Sequence, residues 1–130
     1  MKVDTLKGLL LPPIYIQPFQ LERPASNTSN TTEKEVSFAL IDIDRLRKLG
    51  YSKIYINVEV RGSGTIALRA ADGSTGQDLG SWSHSSQSTE FKTLGPIDIP
   101  NLSSPAIFRI KIYGDGTNAL ELYSASFVIV

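Results

Sequence analysis

The sequence predicts an all-β domain, an antiparallel β-sandwich of jelly-roll type with about eight strands and one short helix. Three observations carry that expectation. Apolar residues recur with a period of two in segment after segment. Gly, Pro, Asn and Asp punctuate those segments at short intervals, as turns between antiparallel strands require. The strands do not alternate with the long amphipathic helices that a parallel sheet needs. With 130 residues the chain closes one hydrophobic core and is too short for two. Its 41% apolar and 20% charged residues place it among chains that fold rather than stay disordered.

The run Leu6 to Leu11 is interrupted by Gly8 and stopped by Pro12 and Pro13. It is too short for a signal-peptide core or a bilayer span, so neither an export signal nor a transmembrane segment is expected. From Pro12 to Phe19, prolines at 12, 13 and 18 forbid helix and withhold backbone donors from any central strand. This stretch reads as an extended arm or edge strand, with Ile14, Tyr15, Ile16 and Phe19 as candidate assembly contacts. Glu22 to Glu33 is polar and aperiodic and reads as a flexible loop. Residues 1–34 are therefore expected to form the arm and loop, and residues 35–130 the sandwich.

In Glu35 to Ile41 the residues Val36, Phe38 and Leu40 alternate onto one face. Asp42 to Gly50 predicts the helix: Ile43, Leu46 and Leu49 recur at helical spacing, an Asp caps the start, and Gly50 supplies the left-handed stop. The helix is expected to plug one end of the sandwich. Ile54, Ile56, Val58 and Val60 alternate strictly with polar residues and mark the clearest strand. Gly62-Ser63-Gly64 is expected to turn the chain into a hairpin with Thr65 to Ala71, and Asp72-Gly73 to close the next turn. Ser74 to Ser88 is rich in Ser and Gly, and predicts only a short strand near Gln77 to Ser83 between loops. Thr89 to Leu94, Pro96 to Pro100, Ile107 to Tyr113 and Ala119 to Val130 complete the strands. The closing Phe127-Val128-Ile129-Val130 is apolar on both faces, which predicts the sheet centre or a contact with another subunit.

The pattern from Lys53 onward resembles small jelly-roll modules of viral capsid, decoration and fibre proteins, and carbohydrate-binding-like modules. The stretches that carry the resemblance are Lys53 to Gly64, Gly95-Pro96-Ile97-Asp98-Ile99-Pro100 and Ile107 to Gly114. The likeness lies in strands and turns, so it implies non-catalytic surface or assembly roles.

Function classes narrow by elimination. Thirteen basic and thirteen acidic residues cancel, so no net field draws the chain to nucleic acid or an anionic membrane. Without cysteine there is no thiolate nucleophile, disulfide or Cys-ligated zinc. The one histidine, His84, lies in Ser83-His84-Ser85-Ser86 and reads as a solvated loop residue rather than half of a catalytic pair. Asp72-Gly73-Ser74 and Asp115-Gly116-Thr117-Asn118 offer one carboxylate each and read as turns, not metal loops. No enzyme, metal or cofactor is expected. Trp82, Tyr55, Tyr113 and Tyr123 are the candidate ligand or interface aromatics, expected on solvent-facing sides of strands where flat rings stack on sugars or on a partner subunit. The leading expectation is a structural subunit of a virion or other extracellular assembly, forming homo-oligomers; the alternative is a carbohydrate-binding module for cell-surface attachment.

Overall fold

The computed structural model describes residues 11–72, 75–102 and 106–130. The expectations for the stretch before residue 11 and for the turn at Gly73-Ser74 fall outside those residues. Along the chain come β1 (Ile14–Ile16), β2 (Phe19–Gln20), β3 (Ala25–Asn27), β4 (Lys34–Ile41), α1 (Ile43–Leu49), β5 (Lys53–Asp72), β6 (Thr75–Asp98), β7 (Ala106–Gly114) and β8 (Leu120–Ile129). Every pairing among them is antiparallel.

β5 and β6 run for 20 and 24 residues, far beyond an ordinary strand, because each serves two layers. Residues 54–62 of β5 pair with β8, and residues 64–71 pair with β7. The first layer is thus β1 and β3 on β8, then β5, then the second half of β6. The second is β2, β4, β7, β5 and the first half of β6. Gly62-Ser63-Gly64 is therefore not the expected hairpin turn but the corner at which one continuous strand passes between layers. Gly62 has φ 100°, and a Cβ there would stand 2.1 Å from the Ala119 carbonyl oxygen. A side chain at this bend has neither the backbone angle nor the space.

The inner faces read as the alternation predicts. Ile54, Ile56, Val58 and Val60 face Phe108, Ile110 and Ile112 across the sandwich, all buried. Phe108 of β7 meets Phe127 of β8 edge to face, with centroids 5.9 Å apart and planes at 77°. That geometry adds about 0.5–1.5 kcal/mol to the area the rings bury.

β4 departs from its expected phase. The register slips between Glu35 and Ser37, and this bulge puts Val36, Ala39 and Ile41 in the core. Phe38 is turned outward to half-burial, and Leu40 is 74% exposed. β6 also differs. The expected short strand near Gln77 to Ser83 belongs to one edge strand that pairs with β5 from end to end, with register shifts at Ile54/Ile56, Val60/Gly62 and Leu68/Arg69. Its Ser and Gly residues are tolerated because backbone pairing to a well-packed neighbour, not side-chain propensity, sets the strand.

The helix forms as expected. The Asp42 carboxylate accepts from the Arg45 backbone N–H, Gly50 takes φ 98°, and Ile43 and Leu46 are buried, whereas Leu49 stays exposed. The proline-flanked arm is an edge strand of its own domain. Ile14, Tyr15 and Ile16 pair with Ile129, Val128 and Phe127, and Phe19 pairs with Phe38. Ile14 and Ile16 pack on the core, leaving Tyr15 and Phe19 exposed. The polar stretch after it is not loose: β3 pairs with β8, and the Ser29 hydroxyl accepts from the N–H groups of Thr31 and Thr32. No helix among the described residues is long and apolar enough to cross a membrane.

Candidate functional site

Alternation that sends apolar residues inward sends their neighbours to the outer faces, where register decides which of them meet. On the first layer three cross-strand rows form. Phe91, Glu59 and Ser124 make one, Thr93, Asn57 and Ser126 the next, and Tyr55, Val128 and Tyr15 the third. The middle row is short and uncharged, so the face sinks there into a groove of about 370 Å³ lined by Asn57, Phe91, Lys92, Thr93, Ser124 and Ser126. That volume lies in the range of small-ligand sites.

Phe91 stands at one end of the groove, 80% exposed. Tyr55 lies two rows away, a separation of about 13 Å at a strand rise of roughly 3.3 Å per residue. The Thr93 hydroxyl donates to the Asn57 side-chain oxygen at 2.7 Å, which leaves the Asn57 amide nitrogen free to donate to a ligand. Hydroxyls and an amide both give and accept hydrogen bonds, and a bare ring offers an apolar plane. Together they suit a ligand that has hydroxyls on its edge and C–H groups on its face.

The outer face of the second layer is built from charges. Glu33 accepts from Lys111 at 2.7 Å, from the Tyr113 hydroxyl at 2.8 Å and from Arg69 at 3.0 Å. Arg109 donates to Glu35 at 2.6 Å. Burial pushes the Glu33 carboxyl up, but the bonds from Lys111 and Tyr113 and the nearby positive charges outweigh it and hold the group below the usual carboxylate range. Arg69 is held more firmly protonated than usual: burial works against its charge, and the Tyr113 bond and the Glu33 charge overcome that. Beside this network is a second groove, of about 410 Å³.

The four aromatics singled out by sequence part company. Tyr55 stands on the same outer face in the row next to Asn57 but does not line the first groove, and Tyr113 lines the second. Tyr123 is in neither. Its hydroxyl donates to Glu121 at 2.6 Å, and that bond holds the phenol protonated above its ordinary value. Trp82 is not solvent-facing as expected. It is opposite buried Ile66, packs on the core and covers Gly80, whose missing side chain leaves room for the indole. Phe91 went unnoticed in the sequence. Its signal was present, since in Thr89 to Leu94 it has the opposite parity to the buried Leu94.

His84 overturns its expectation as well. It is a β6 strand residue opposite Gly64, with its side chain 1% exposed and neither ring nitrogen hydrogen-bonded. The Glu90 carboxylate is 4.0 Å away, beyond hydrogen-bond reach. Burial first, and Lys92 second, push its pKa below the ordinary imidazole value against the pull of Glu90.

No family model and no curated protein matches the chain. Among solved structures, the carbohydrate-binding module CBM36 in complex with calcium and xylotriose superposes with a TM-score of 0.50, covering 92% of this chain and 100% of its own, at 12% identity. At that identity the likeness establishes a shared fold: this chain is an antiparallel β-sandwich of the kind that module displays. No group of three or more His, Asp or Glu side chains that could hold a cation occurs among the described residues. The Asp115 carboxylate is committed to its own turn, accepting from Thr117 and Asn118.

Proposed function

We propose that this domain is a non-catalytic glycan-binding module whose sugar lies in the first-layer groove. The observation that carries the reading is the 80% exposed ring of Phe91 standing beside a floor of Asn57, Thr93, Ser124 and Ser126. A large apolar ring left in water next to an uncharged polar floor costs solvation unless something covers it. A sugar does so with its C–H face while its hydroxyls meet the floor. The shared fold with a xylotriose-binding module supports the reading. Affinity electrophoresis through gels containing xylan, mixed-linkage β-glucan or galactomannan tests it. The wild-type domain is expected to be retarded by at least one of them, and Phe91→Ala to weaken that binding at least about tenfold, or roughly 1.4 kcal/mol. No retardation in any gel, together with an empty glycan array, overturns the proposal.

A second reading, a structural subunit of a virion or other extracellular assembly, is favoured by a different observation. Phe19, Leu21 and Leu40 are all exposed and lie beside Phe38 on the β2–β4 edge, with the Phe19 and Phe38 rings 5.4 Å apart. The occupant this strip fits is a second copy of the chain, joined apolar strip to apolar strip. Sedimentation at micromolar concentration is expected to show a dimer that Phe19→Ser/Leu40→Ser dissociates; a wild-type monomer removes this reading.

A further inference from the structure

We infer that the domain is bivalent: the groove on the outer face of the second layer is a second site for an uncharged polysaccharide, so one copy bridges two glycan chains. The inference rests on the glycan-binding reading above and extends it to a face that the reading does not use.

The second groove is as large as the first, and its polar groups are held in place before any ligand arrives. Ala67, 3% exposed, forms a low floor between Thr65 and Arg69 on β5. Around it stand Asn30, Thr31, Arg69, Asp78, Ser81 and Tyr113. Glu33 clamps both Arg69 and Tyr113. The Asn30-Thr31 rim is pinned from below, because the Gly114 N–H donates to the Ser29 carbonyl at 2.8 Å and the Gly116 N–H to the Thr28 carbonyl at 2.9 Å. Gly114 permits that approach; a Cβ there would stand 2.4 Å from the carbonyl oxygens of both Asn27 and Thr28. Donors fixed in this way spare a ligand the entropy of ordering them.

The chemistry of the rim names the ligand class. A guanidinium, a carboxylate, an amide and several hydroxyls supply donors and acceptors in similar number. Arg69 and Lys111 balance Glu33 and Asp78, so the site has no net charge with which to select an ion. A neutral polyol satisfies both properties. The two grooves open on opposite outer faces of a sandwich whose sheets are about 10 Å apart, so neighbouring residues of one sugar chain do not occupy both. Each face takes its own chain, and binding becomes cross-linking.

The test uses the whole chain with xylan, mixed-linkage β-glucan and galactomannan. Calorimetry with oligosaccharides of whichever polymer retards the domain is expected to give two sites per chain, and the polymer solution is expected to thicken or cloud with added wild type. Phe91→Ala and Asn30→Ala/Asp78→Ala each leave one site and abolish the clouding. Because Asp78 accepts from the Gly80 N–H at 3.2 Å, Ser81→Tyr, which fills the groove and keeps that bond, is the companion variant, with melting curves confirming the fold of each. One site per chain in the wild type overturns bivalency and leaves glycan binding intact. So does clouding that persists in both second-groove variants, since it then comes from dimers with one site each. Failure of all three polymers to bind, together with an empty glycan array, removes both proposals.

Discussion

Gly64→Ala is expected to destabilise the domain by about 3 kcal/mol or more, the upper end of what overpacking costs. β5 crosses between layers at residues 62–64, and in crossing it brings Gly64 against β7. A Cβ on Gly64 would stand 1.9 Å from the Tyr113 carbonyl oxygen, and 2.9 Å from the Tyr113 carbonyl carbon and the Gly114 Cα. All three are backbone atoms, with no rotamer through which to yield. Relief requires pulling β5 away from β7, which breaks the pairing that starts at Gly64 and Gly114 and continues to Ala71 and Ile107. Gly116→Ala is the comparison. Unlike Gly64 it has a positive φ, 92°, which strains an Ala by itself, but its nearest neighbour is the Asn30 side chain at 3.1 Å, which can move. Urea denaturation is expected to show a fall in midpoint for both, from the backbone angle alone at Gly116→Ala and clearly larger at Gly64→Ala. Equal midpoints would mean that the corner is looser than its distances indicate.

The same corner explains what the sequence concealed. Strict alternation made Ile54 to Val60 and Ile107 to Tyr113 legible, because a period of two with β-branched residues has one economical solution. Asp42 and Gly50 marked the helix because caps are local chemistry. Gly62-Ser63-Gly64 misled because the freedom that makes glycine a turn residue also lets a strand bend without ending. Leu40 does not share the face of Val36 as its spacing predicts, because a bulge at Glu35 to Ser37 adds one residue and inverts every later face, an event with no compositional signature. The candidate groove was legible in parts only. Tyr55 and Asn57 alternate outward visibly, but that Asn57 stands between Ser126 and Thr93 is a property of register between strands far apart in sequence.

Trp82 and His84 both turn inward where the sequence predicts a solvent-facing strand residue and a loop residue. The Ser-rich composition signals a strand that ends at Ser83 and says nothing of which side Trp82 takes, yet the strand runs on and the two residues, two apart, share its inner face. For His84 this has an energetic consequence. A buried polar atom without a partner costs about 1–3 kcal/mol, and this ring has two such nitrogens. His84→Phe, which keeps a flat ring and removes the orphaned nitrogens, is therefore expected to raise stability at neutral pH by about 1–3 kcal/mol. It should also change the pH dependence. The folded pKa of His84 lies below its ordinary 6.5, so in acid the unfolded chain takes up the proton first. Stability is then complete above about pH 6.5 and declines as pH falls from that value towards the folded pKa. Glu33 follows at lower pH. Its folded pKa is below 4.5, so the stability it contributes is present above that value and is lost as pH falls through the folded pKa. The wild type should show two acid-labile steps, and His84→Phe only the lower one. Melting temperatures measured from pH 7.5 to 3 distinguish these outcomes: parallel curves for the two proteins would show that the imidazole is not the group titrating in the upper step.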